Sequence, residues 1–297
     1  MARGPRPRTA ADGIVVVDKP SGMTSHDVVS RMRRFAGTRK VGHAGTLDPM
    51  ATGVLIVGVE RATRLLGHLM LTDKTYDATI RLGVTTHTDD AEGEVLVVTD
   101  ASHVADEAIH HGVQALTGSI MQRPSSVSAI KVDGVRSYDR VRAGEEIVLP
   151  ERPAMISRFE IHQIRRTEST VDIDVTVDCS SGTYIRALAR DLGAGLNVGG
   201  HLTALRRTRV GAFTIDEAHS LEQLEQDCVI IPLADVVRET FPSVSVDAAD
   251  VDRVLHGSRI PIANDRDGIV GIFGPDGRVL SIAEPREGVY AHLVVFS

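Results

Sequence analysis

Residues 42–55 read Gly-His-Ala-Gly-Thr-Leu-Asp-Pro-Met-Ala-Thr-Gly-Val-Leu and present one carboxylate, that of Asp48, on a glycine-rich loop. Pro49 keeps the residue before it out of the α conformation, while the three glycines allow backbone freedom and close approach of a ligand. The apolar residues 54–57 predict a buried strand that anchors the loop. Loops held by rigid elements often carry chemistry, so Asp48 is a candidate catalytic residue, although an ordinary turn uses the same residue types.

The composition is typical of a soluble globular protein. The chain has 297 residues, 42% hydrophobic and 25% charged, enough for one large domain or a middling domain plus a small one. No apolar run approaches the ~20 residues of a membrane span. Residues 1–12 are basic and contain proline but lack an apolar core, so they predict a flexible tail and not a signal peptide. We therefore expect a cytoplasmic protein with no membrane partner.

The motifs predict neither a metal nor a cofactor. Cys179 and Cys228 have no paired spacing, and the twelve histidines form no ligand pairs at helical spacing. Gly193–Gly195 begins like a dinucleotide-binding fingerprint, but Val198 stands at its third glycine position. Residues 42–46 lack the lysine of a phosphate-binding P-loop. We therefore expect the chemistry to come from the side chains of the chain itself.

The charge is unevenly distributed. The formal net charge is -7, yet residues 1–60 hold nine Lys or Arg against five Asp or Glu. Residues 186–209 hold five Arg against Asp191 alone. Because phosphate binding depends on the local field, a basic groove on an acidic protein is compatible with this pattern. Solvated helix faces would give the same composition.

The segment before the Asp48 loop predicts a strand and then an amphipathic helix. Residues 14–17 are a strand-like apolar run, Ser25 is a candidate N-cap, and Gly37 is a stop signal. The apolar residues of the helix fall on one face. Its basic residues are therefore expected to point outward: Arg31, Arg33 and Arg34.

Two later segments alternate strictly between apolar and polar residues. In residues 76–82 the apolar positions begin with Tyr76, which is therefore expected to point inward. Residues 171–179 alternate in the same way, with apolar residues inward and residues such as Asp172 and Thr176 outward. One face of the sheet formed by these strands is therefore expected to face water.

A Ser-Gly turn at residues 180–183 leads from the second of these strands into a predicted helix over 184–192. Its apolar positions leave Arg186 and Arg190 four residues apart, on one side of the helix.

Strand-like segments dominate elsewhere, so we predict an α+β protein with a mixed, mostly antiparallel sheet flanked by helices. Further helices are expected near residues 103–116 and 220–226. The residues beyond Pro242 predict a small β-rich second domain. Its short strands are expected near 268–273, 278–283 and 290–296.

Several blocks in one order make the chain resemble the TruB family, the bacterial tRNA pseudouridine synthases that modify the uridine at position 55 in the T loop. The resemblance covers roughly residues 13–215. Its blocks are the Asp48 loop, Asp18–Ser25, the strand at Tyr76, Ser180–Arg186 and His201–Arg207.

The resemblance implies the pseudouridine synthase fold and a domain plan. Residues 1–12 would be the flexible tail, 13–240 the catalytic domain with an RNA-contacting insertion near 123–152, and 243–297 a small PUA-like domain. The segment Arg123–Ser128 departs from the family, which more often has a second proline and an aromatic residue there. The expected partner is the T stem-loop of tRNA, bound by a monomer.

The implied reaction breaks the bond from ribose C1′ to uracil N1, rotates the base, and rejoins it through C5. Asp48 would be the nucleophile, attacking either C1′ or uracil C6. Arg186 would supply the positive charge that keeps a buried carboxylate ionised. Tyr76 would pack on the target base, which must be flipped out of its stack, and take the C5 proton.

The resemblance also implies substrate-binding residues around this centre. His43 would hold the disrupted T loop, while Tyr184 and Leu205 would form walls of the pocket. The candidate phosphate contacts are Lys19, Lys131, Arg206 and Arg207.

The sequence is also compatible with two other function classes. A base-releasing glycosylase or glycosidase could also use Asp48, but a conventional glycosidase needs a second carboxylate, for which no second motif is found. A non-catalytic RNA chaperone would fit the arginine pattern and would tolerate loss of Asp48.

Overall fold

The computed structural model describes residues 11–125, 131–132, 135–136, 149–262 and 268–297. The chain divides into two compact units. The first unit comprises the described residues up to Asp48 together with Val54–Met70 and Gly211–Ser297. The second unit comprises Pro49–Gly53 and the described residues of Leu71–Val210.

The described residues form strands and helices throughout. The strands are β1 (Gly13–Lys19), β2 (Val41–Ala44), β3 (Thr52–Val59), β4 (Lys74–Leu82), β5 (Val84–Thr86), β6 (Val95–Val98), β7 (Gly118–Gln122), β8 (Lys131–Val132), β9 (Val135–Arg136), β10 (Arg152–Arg166), β11 (Val171–Cys179), β12 (Gly200–Val210), β13 (Phe213–Thr214), β14 (Ile231–Pro232), β15 (Ser243–Ser245), β16 (Ile260–Pro261), β17 (Val270–Phe273), β18 (Val279–Arg286) and β19 (Val289–Val295). The α-helices are α1 (Ser25–Phe35), α2 (Leu66–Leu69), α3 (Asp106–Ala115), α4 (Ile185–Gly195), α5 (Leu221–Gln226), α6 (Leu233–Thr240) and α7 (Ala248–Leu255).

Helix α1 forms as predicted but begins one residue away from the expected cap. Thr24, not Ser25, is the N-cap, because its hydroxyl accepts a hydrogen bond from the Asp27 N–H while the Asp27 carboxylate bonds back to Thr24. Ser25 is buried and its hydroxyl is used elsewhere. The predicted end is confirmed, since Gly37 follows the helix with a φ of 68°. The three arginines of the helix are exposed, as predicted.

The glycine-rich loop is shorter than the sequence predicted. Residues 41–44 form β2, which pairs antiparallel with the end of β3, so a loop of residues 45–51 remains. Gly45 has a φ of 74°, which favours glycine. Gly53 has a φ of 97°, and a Cβ there would lie 2.2 Å from the backbone oxygen of Arg207. The predicted buried strand after the loop is confirmed.

The second unit is built on an antiparallel sheet with the strand order β12-β4-β11-β10-β7. Thr52 and Gly53, at the start of β3, pair parallel with β12. The predicted alternation in β4 and β11 is confirmed, and Tyr76 lies inward opposite Val177. The sheet is therefore mixed and mostly antiparallel, as predicted.

The polar face of this sheet is organised by pairs between β4 and β11. Hydrogen bonds join Thr75 to Asp178 at 2.5 Å, Thr79 to Asp174 at 2.7 Å and Arg81 to Asp172 at 2.7 Å. Thr176 was predicted to face outward, but it is 8% exposed because Asp77 and His162 cover its hydroxyl. Most of this face remains in contact with water.

The helices predicted near 103–116, 184–192 and 220–226 are present as α3, α4 and α5. Helix α4 continues to Gly195, three residues beyond the predicted end. Helices α6 and α7 were not predicted, because eight residues are about two turns and show little periodicity in sequence. No helix in the described ranges is long and apolar enough to span a membrane.

The C-terminal residues form the predicted β-rich structure, a sheet with the order β15-β17-β18-β19-β16. Its core includes Val254 of α7, Ile272 and Tyr290. Within the first unit, the Arg61 guanidinium donates to the Asp12 carboxylate at 2.8 Å and to the Phe296 carbonyl at 3.1 Å. The end of the chain is thus tied to the 3-10 helix Glu60–Leu65, which follows β3.

Candidate active site

The Asp48 loop is fixed by a buried serine. The Leu47 N–H donates to the Ser25 hydroxyl at 2.9 Å, and the same hydroxyl lies 3.2 Å from the Leu47 carbonyl, to which it donates. Ser25 and Leu47 are 1% and 3% exposed, whereas Asp48 itself is half-buried. The residue before the carboxylate is therefore held by the first turn of α1, and the carboxylate keeps access to solvent.

His43 lies on β2 beside His26 of α1. Their rings meet edge to face, with centroids 5.3 Å apart and planes at 81°. His26 was not predicted as a site residue, because its neighbour Ser25 was interpreted as the N-cap of the helix. Its position next to His43 depends on β2 folding back toward α1, which no local pattern specifies.

Lys19 is fully buried, and its ammonium group donates to the carbonyls of Pro20 at 2.9 Å and Met23 at 2.6 Å. Arg207 is also buried, with 1% of its surface exposed. Both were predicted to contact phosphate, but both side chains are buried in this conformation, and Lys19 is bonded to backbone carbonyls. Arg206 is half-buried and donates to the Thr52 hydroxyl at 3.3 Å.

Tyr76 and Leu205 share one face of the sheet in the second unit. Tyr76 on β4 is directly opposite Arg207 on β12, and Leu205 is opposite Ala78. Tyr76 and Leu205 are therefore diagonal neighbours, at the roughly 7–8 Å spacing typical of such pairs. They are 7% and 8% exposed, so the structure brings together two of the three predicted residues around the base.

Arg186, in the first turn of α4, is held by the turn that follows β5. Its guanidinium donates to the Thr88 carbonyl at 2.8 Å and lies 3.4 Å from the Asp90 carboxylate. The two side chains are 7% and 4% exposed. Asp90 also accepts a hydrogen bond from the Glu92 N–H at 3.1 Å, which stabilises the turn. This buried ion pair fixes the position of the guanidinium.

One turn further along α4, Arg190 makes a second acidic contact. Its guanidinium lies 3.2 Å from the Asp89 carboxylate and donates to the Arg123 carbonyl at 2.7 Å. Burial raises the pKa of Asp89, and the charge of Arg190 opposes that effect. Asp89 and Asp90 were missed in the sequence, where the available signal was two adjacent acids and a following glycine.

Gln122 fixes the start of α4. Its side-chain carbonyl accepts the Tyr184 N–H at 2.8 Å, and its amide donates to the Tyr184 carbonyl at 3.0 Å. Gln122 is 2% exposed, whereas Tyr184 is half-buried. The predicted pocket residue Tyr184 thus has a fixed backbone and an accessible side chain. Gln122 was not predicted, because nothing local distinguishes it from a surface glutamine.

A buried lysine was also missed. Lys74 is opposite Cys179 on β11 and is 6% exposed. Burial, reinforced by the charge of Arg207, lowers the pKa of Lys74 to about 8. Burial likewise raises the pKa of the Cys179 thiol to about 11.

For Lys131, the structure describes the backbone in β8, paired with β9, but its side chain lies outside the described residues. Much of the predicted RNA-contacting insertion also lies outside them. No group of three or more His, Cys, Asp or Glu that could hold a metal occurs in the described segments.

Three family models match this chain between residues 33 and 297. Residues 33–185 match the TruB family pseudouridylate synthase N-terminal domain. Residues 186–237 match the tRNA pseudouridylate synthase B C-terminal domain, and 241–297 match the tRNA pseudouridine synthase II C-terminal domain.

Similar proteins include two named tRNA pseudouridine synthase B. That of Thermobifida fusca is 57% identical over 291 residues, covering 97% of this chain and 99% of the relative. That of Streptomyces coelicolor is 56% identical over 295 residues, covering 97% and 98%. The crystal structure of a Cbf5-Nop10-Gar1 complex contains a chain similar over 98% of this chain and 87% of its own, with 26% identity and a TM-score of 0.73.

Proposed function

Because the chain belongs to the TruB family of pseudouridylate synthases, we propose that it converts a uridine of tRNA to pseudouridine, at position 55 of the T loop. The family and the fold predicted from the sequence are confirmed, and the protein is an isomerase. The relatives' names support tRNA as the substrate. The observation that carries the proposed chemistry is a half-buried carboxylate, Asp48, on a loop clamped by a buried serine.

We assign the nucleophile to Asp48. Attack at C1′ would form an oxygen–C1′ bond while the C1′–N1 bond breaks, and the freed uracil would rotate and return through C5. Attack at C6 would instead form a bond from Asp48 to the base, which would stay attached while the C1′–N1 bond breaks and the C1′–C5 bond forms. In both routes C5 loses a proton and N1 gains one, so substrate and product are isomers and the balance requires no oxidant or energy source.

Arg186 is proposed to keep this carboxylate ionised under a bound base. A carboxylate that loses water gains a higher pKa unless a cation compensates. The guanidinium of Arg186 is buried and is held by the Thr88 carbonyl and Asp90. Because it is already fixed, little further side-chain entropy is lost when substrate binds. Asp90 is a positioning residue in this scheme.

The target base must leave the stack of the T loop, which costs a few kcal/mol. We propose that Tyr76 packs on the flipped base and takes the C5 proton, with Leu205 and Tyr184 as further walls. His43, beside His26, would hold the opened loop. The T stem-loop as the recognised part of tRNA, the cytoplasmic location and the monomeric state stay predictions.

The test is incubation of the protein with an unmodified tRNA transcript, followed by mapping of pseudouridine. We expect pseudouridine at position 55 with the unaltered protein, and none with Asp48→Asn, which should still bind the tRNA. Asp252→Asn changes an exposed aspartate of α7 and serves as the matched control, with full activity expected.

Three results would contradict the proposal. Substantial turnover by Asp48→Asn would remove the nucleophile assignment. Free uracil without pseudouridine would indicate a glycosylase. Refolding of tRNA that neither forms pseudouridine nor depends on Asp48 would indicate an RNA chaperone.

A further inference from the structure

A groove lies at the end of α1, within the first unit, and the proposed reaction uses none of its residues. Its volume is about 760 Å³. The lining residues are Ser30, Arg33, Arg34, Gly37, Thr38, Arg39 and Glu60.

The arginines of the groove are brought together by the helix end. Arg33 and Arg34 are exposed in the last turn of α1. Gly37 then reverses the chain with a φ of 68°, and the Thr38 N–H donates to the Arg33 carbonyl at 3.2 Å. Arg39 follows directly and is exposed. Residues from both sides of the chain reversal therefore line one depression.

Glu60, the one acidic residue among those that line the groove, is hydrogen-bonded to another lining residue. The Thr38 hydroxyl donates to the Glu60 carboxylate, and the Glu60 N–H donates to the Lys40 carbonyl at 2.8 Å. Glu60 adopts a φ of 52°, a conformation that a residue other than glycine adopts only when its surroundings hold it. The side chain and backbone of Glu60 are thus held in place within the groove.

The arginines are not neutralised by neighbouring acids. Arg34 lies 3.9 Å from Glu225, at the limit of an ion pair, and both side chains are more than half exposed. In the described part of the chain, neither Arg33 nor Arg39 forms an ion pair with a carboxylate. Three arginines and one glutamate therefore line the groove, and the Arg34 pair with Glu225 adds one exposed carboxylate near them, on a protein whose formal net charge is -7.

Guanidinium groups match phosphate oxygens in geometry, and a concave arrangement focuses their field. We propose that this groove binds the phosphodiester backbone of the RNA substrate, at a contact additional to the one that holds the target uridine. This inference rests on the proposed function for the identity of the polyanion as tRNA. Each arginine that meets a phosphate releases a counterion from the RNA, so the contact makes binding depend on salt.

The test measures the affinity of an unmodified tRNA transcript as a function of salt concentration. The protein carries Asp48→Asn, so that no product forms during the titration. Adding Arg33→Gln and Arg39→Gln should reduce the slope of log affinity against log salt by roughly 1.4–1.8, which weakens binding at 0.1 M salt, relative to 1 M salt, by roughly 25-fold to 60-fold. Both side chains are exposed, so unchanged circular dichroism is expected.

Two further variants make the result specific to the groove. Arg31→Gln removes an exposed arginine of the same helix that does not line the groove, and should leave the slope unchanged. Glu60→Gln removes the negative charge but keeps an acceptor for Thr38, and should tighten binding severalfold. An unchanged slope in the double variant, or an equal loss per residue in Arg31→Gln, would overturn the proposal.

The binding measurement is independent of catalysis. If the unaltered protein binds tRNA through the groove but forms no pseudouridine, the proposed function fails and the groove stands. If it forms pseudouridine while the double variant keeps the full salt slope, the groove fails and the proposed function stands.

Discussion

The Asp48 loop and the surroundings of Arg186 hold their functional side chains in opposite ways. In the first unit, Asp48 is half-buried, and the loop is positioned by neutral hydrogen bonds between Ser25 and the Leu47 backbone. In the second unit, Arg186 is buried and positioned by a charged partner, Asp90.

The difference matches what each group is proposed to do. A nucleophile must be accessible to substrate, and positioning its loop through neutral backbone contacts leaves the Asp48 carboxylate half-buried and not enclosed. A fixed cation can be buried deeply, but a buried charge is tolerated only when another charge or several hydrogen bonds compensate for lost water. The Asp90 carboxylate and the Thr88 carbonyl do this for Arg186.

The largest effect is expected from breaking the charged arrangement. Asp90→Ala leaves the Arg186 guanidinium buried without its carboxylate and also removes an acceptor from the turn at Glu92. We expect the free energy of unfolding to fall by about 3–5 kcal/mol, the usual cost of removing one partner of a buried ion pair. Urea denaturation monitored by circular dichroism measures it.

The matched control is Asp172→Ala, which removes a bidentate partner of Arg81 on the wet face of the sheet. Because that pair is partly exposed, its loss should cost about 1 kcal/mol or less. Equal losses in the two variants would show that burial does not distinguish the two ion pairs.

The next largest effect is expected from removing the neutral hydrogen bonds between Ser25 and the Leu47 backbone. Ser25→Ala leaves the buried Leu47 N–H without its acceptor, at a cost of about 1–3 kcal/mol. Because Leu47 precedes Asp48, turnover at saturating tRNA should fall as well. Thr24→Ala removes the true N-cap and should cost about 1 kcal/mol while turnover is retained. If both variants lose turnover equally, the serine does not position the loop.

These two arrangements also differ in how far the sequence could predict them. The Asp48 loop is contiguous, so its glycines, its proline and the strand after it are visible as one motif. Ser25 was nevertheless assigned to the wrong role, because a serine at a helix start looks like a cap until the partner of its hydroxyl is known. That partner, Leu47, is 22 residues away.

The Arg186 network could be predicted only in part. The spacing of Arg186 and Arg190 on one side of a helix followed from periodicity, and the structure confirms it. Their acidic partners lie about 100 residues earlier, in a turn whose composition resembles many surface turns. The burial of Lys74 and Arg207 was equally hidden, because charged residues in a strand predict exposure unless the neighbouring strands are known.

A buried lysine gives a prediction about pH. The folded-state pKa of Lys74 is lowered to about 8 from 10.5, so burying its charged form destabilises the fold below pH 8. Between about pH 8 and 10.5 the unfolded chain binds more protons than the folded one, so the penalty is relieved as pH rises. Lys74→Met removes this penalty but also loses the hydrogen bond from Lys74 to the Thr72 carbonyl, which offsets part of the gain. We therefore expect the variant to be more stable than the unaltered protein at pH 7 by about 1–2 kcal/mol.

The measurement for Lys74→Met is thermal or urea unfolding of both proteins at pH 7 and at pH 9.5. The advantage of the methionine variant should shrink at the higher pH. Cys179, opposite Lys74, also has a shifted pKa, raised by burial to about 11, but both proteins contain this thiol, so comparing them at the same pH removes most of its effect. An advantage that grows with pH would mean that the lysine charge stabilises the fold.

The smallest effect on stability is expected at Arg190. This residue of the second unit is expected to affect the binding of tRNA more than the stability of the fold. Its side chain is 28% exposed and its pair with Asp89 is reached by water, so Arg190→Gln should lower the free energy of unfolding by about 1 kcal/mol or less. Its bond to the Arg123 carbonyl, however, fixes the chain where the predicted RNA-contacting insertion begins. We therefore expect KM for tRNA to rise about threefold to tenfold while kcat changes little, as for a contact that affects binding of substrate and transition state alike. Arg190→Lys, which keeps the charge but not the forked geometry, should recover little of that loss. A variant that loses kcat and keeps KM would instead place Arg190 with Arg186, among the groups that position the chemistry.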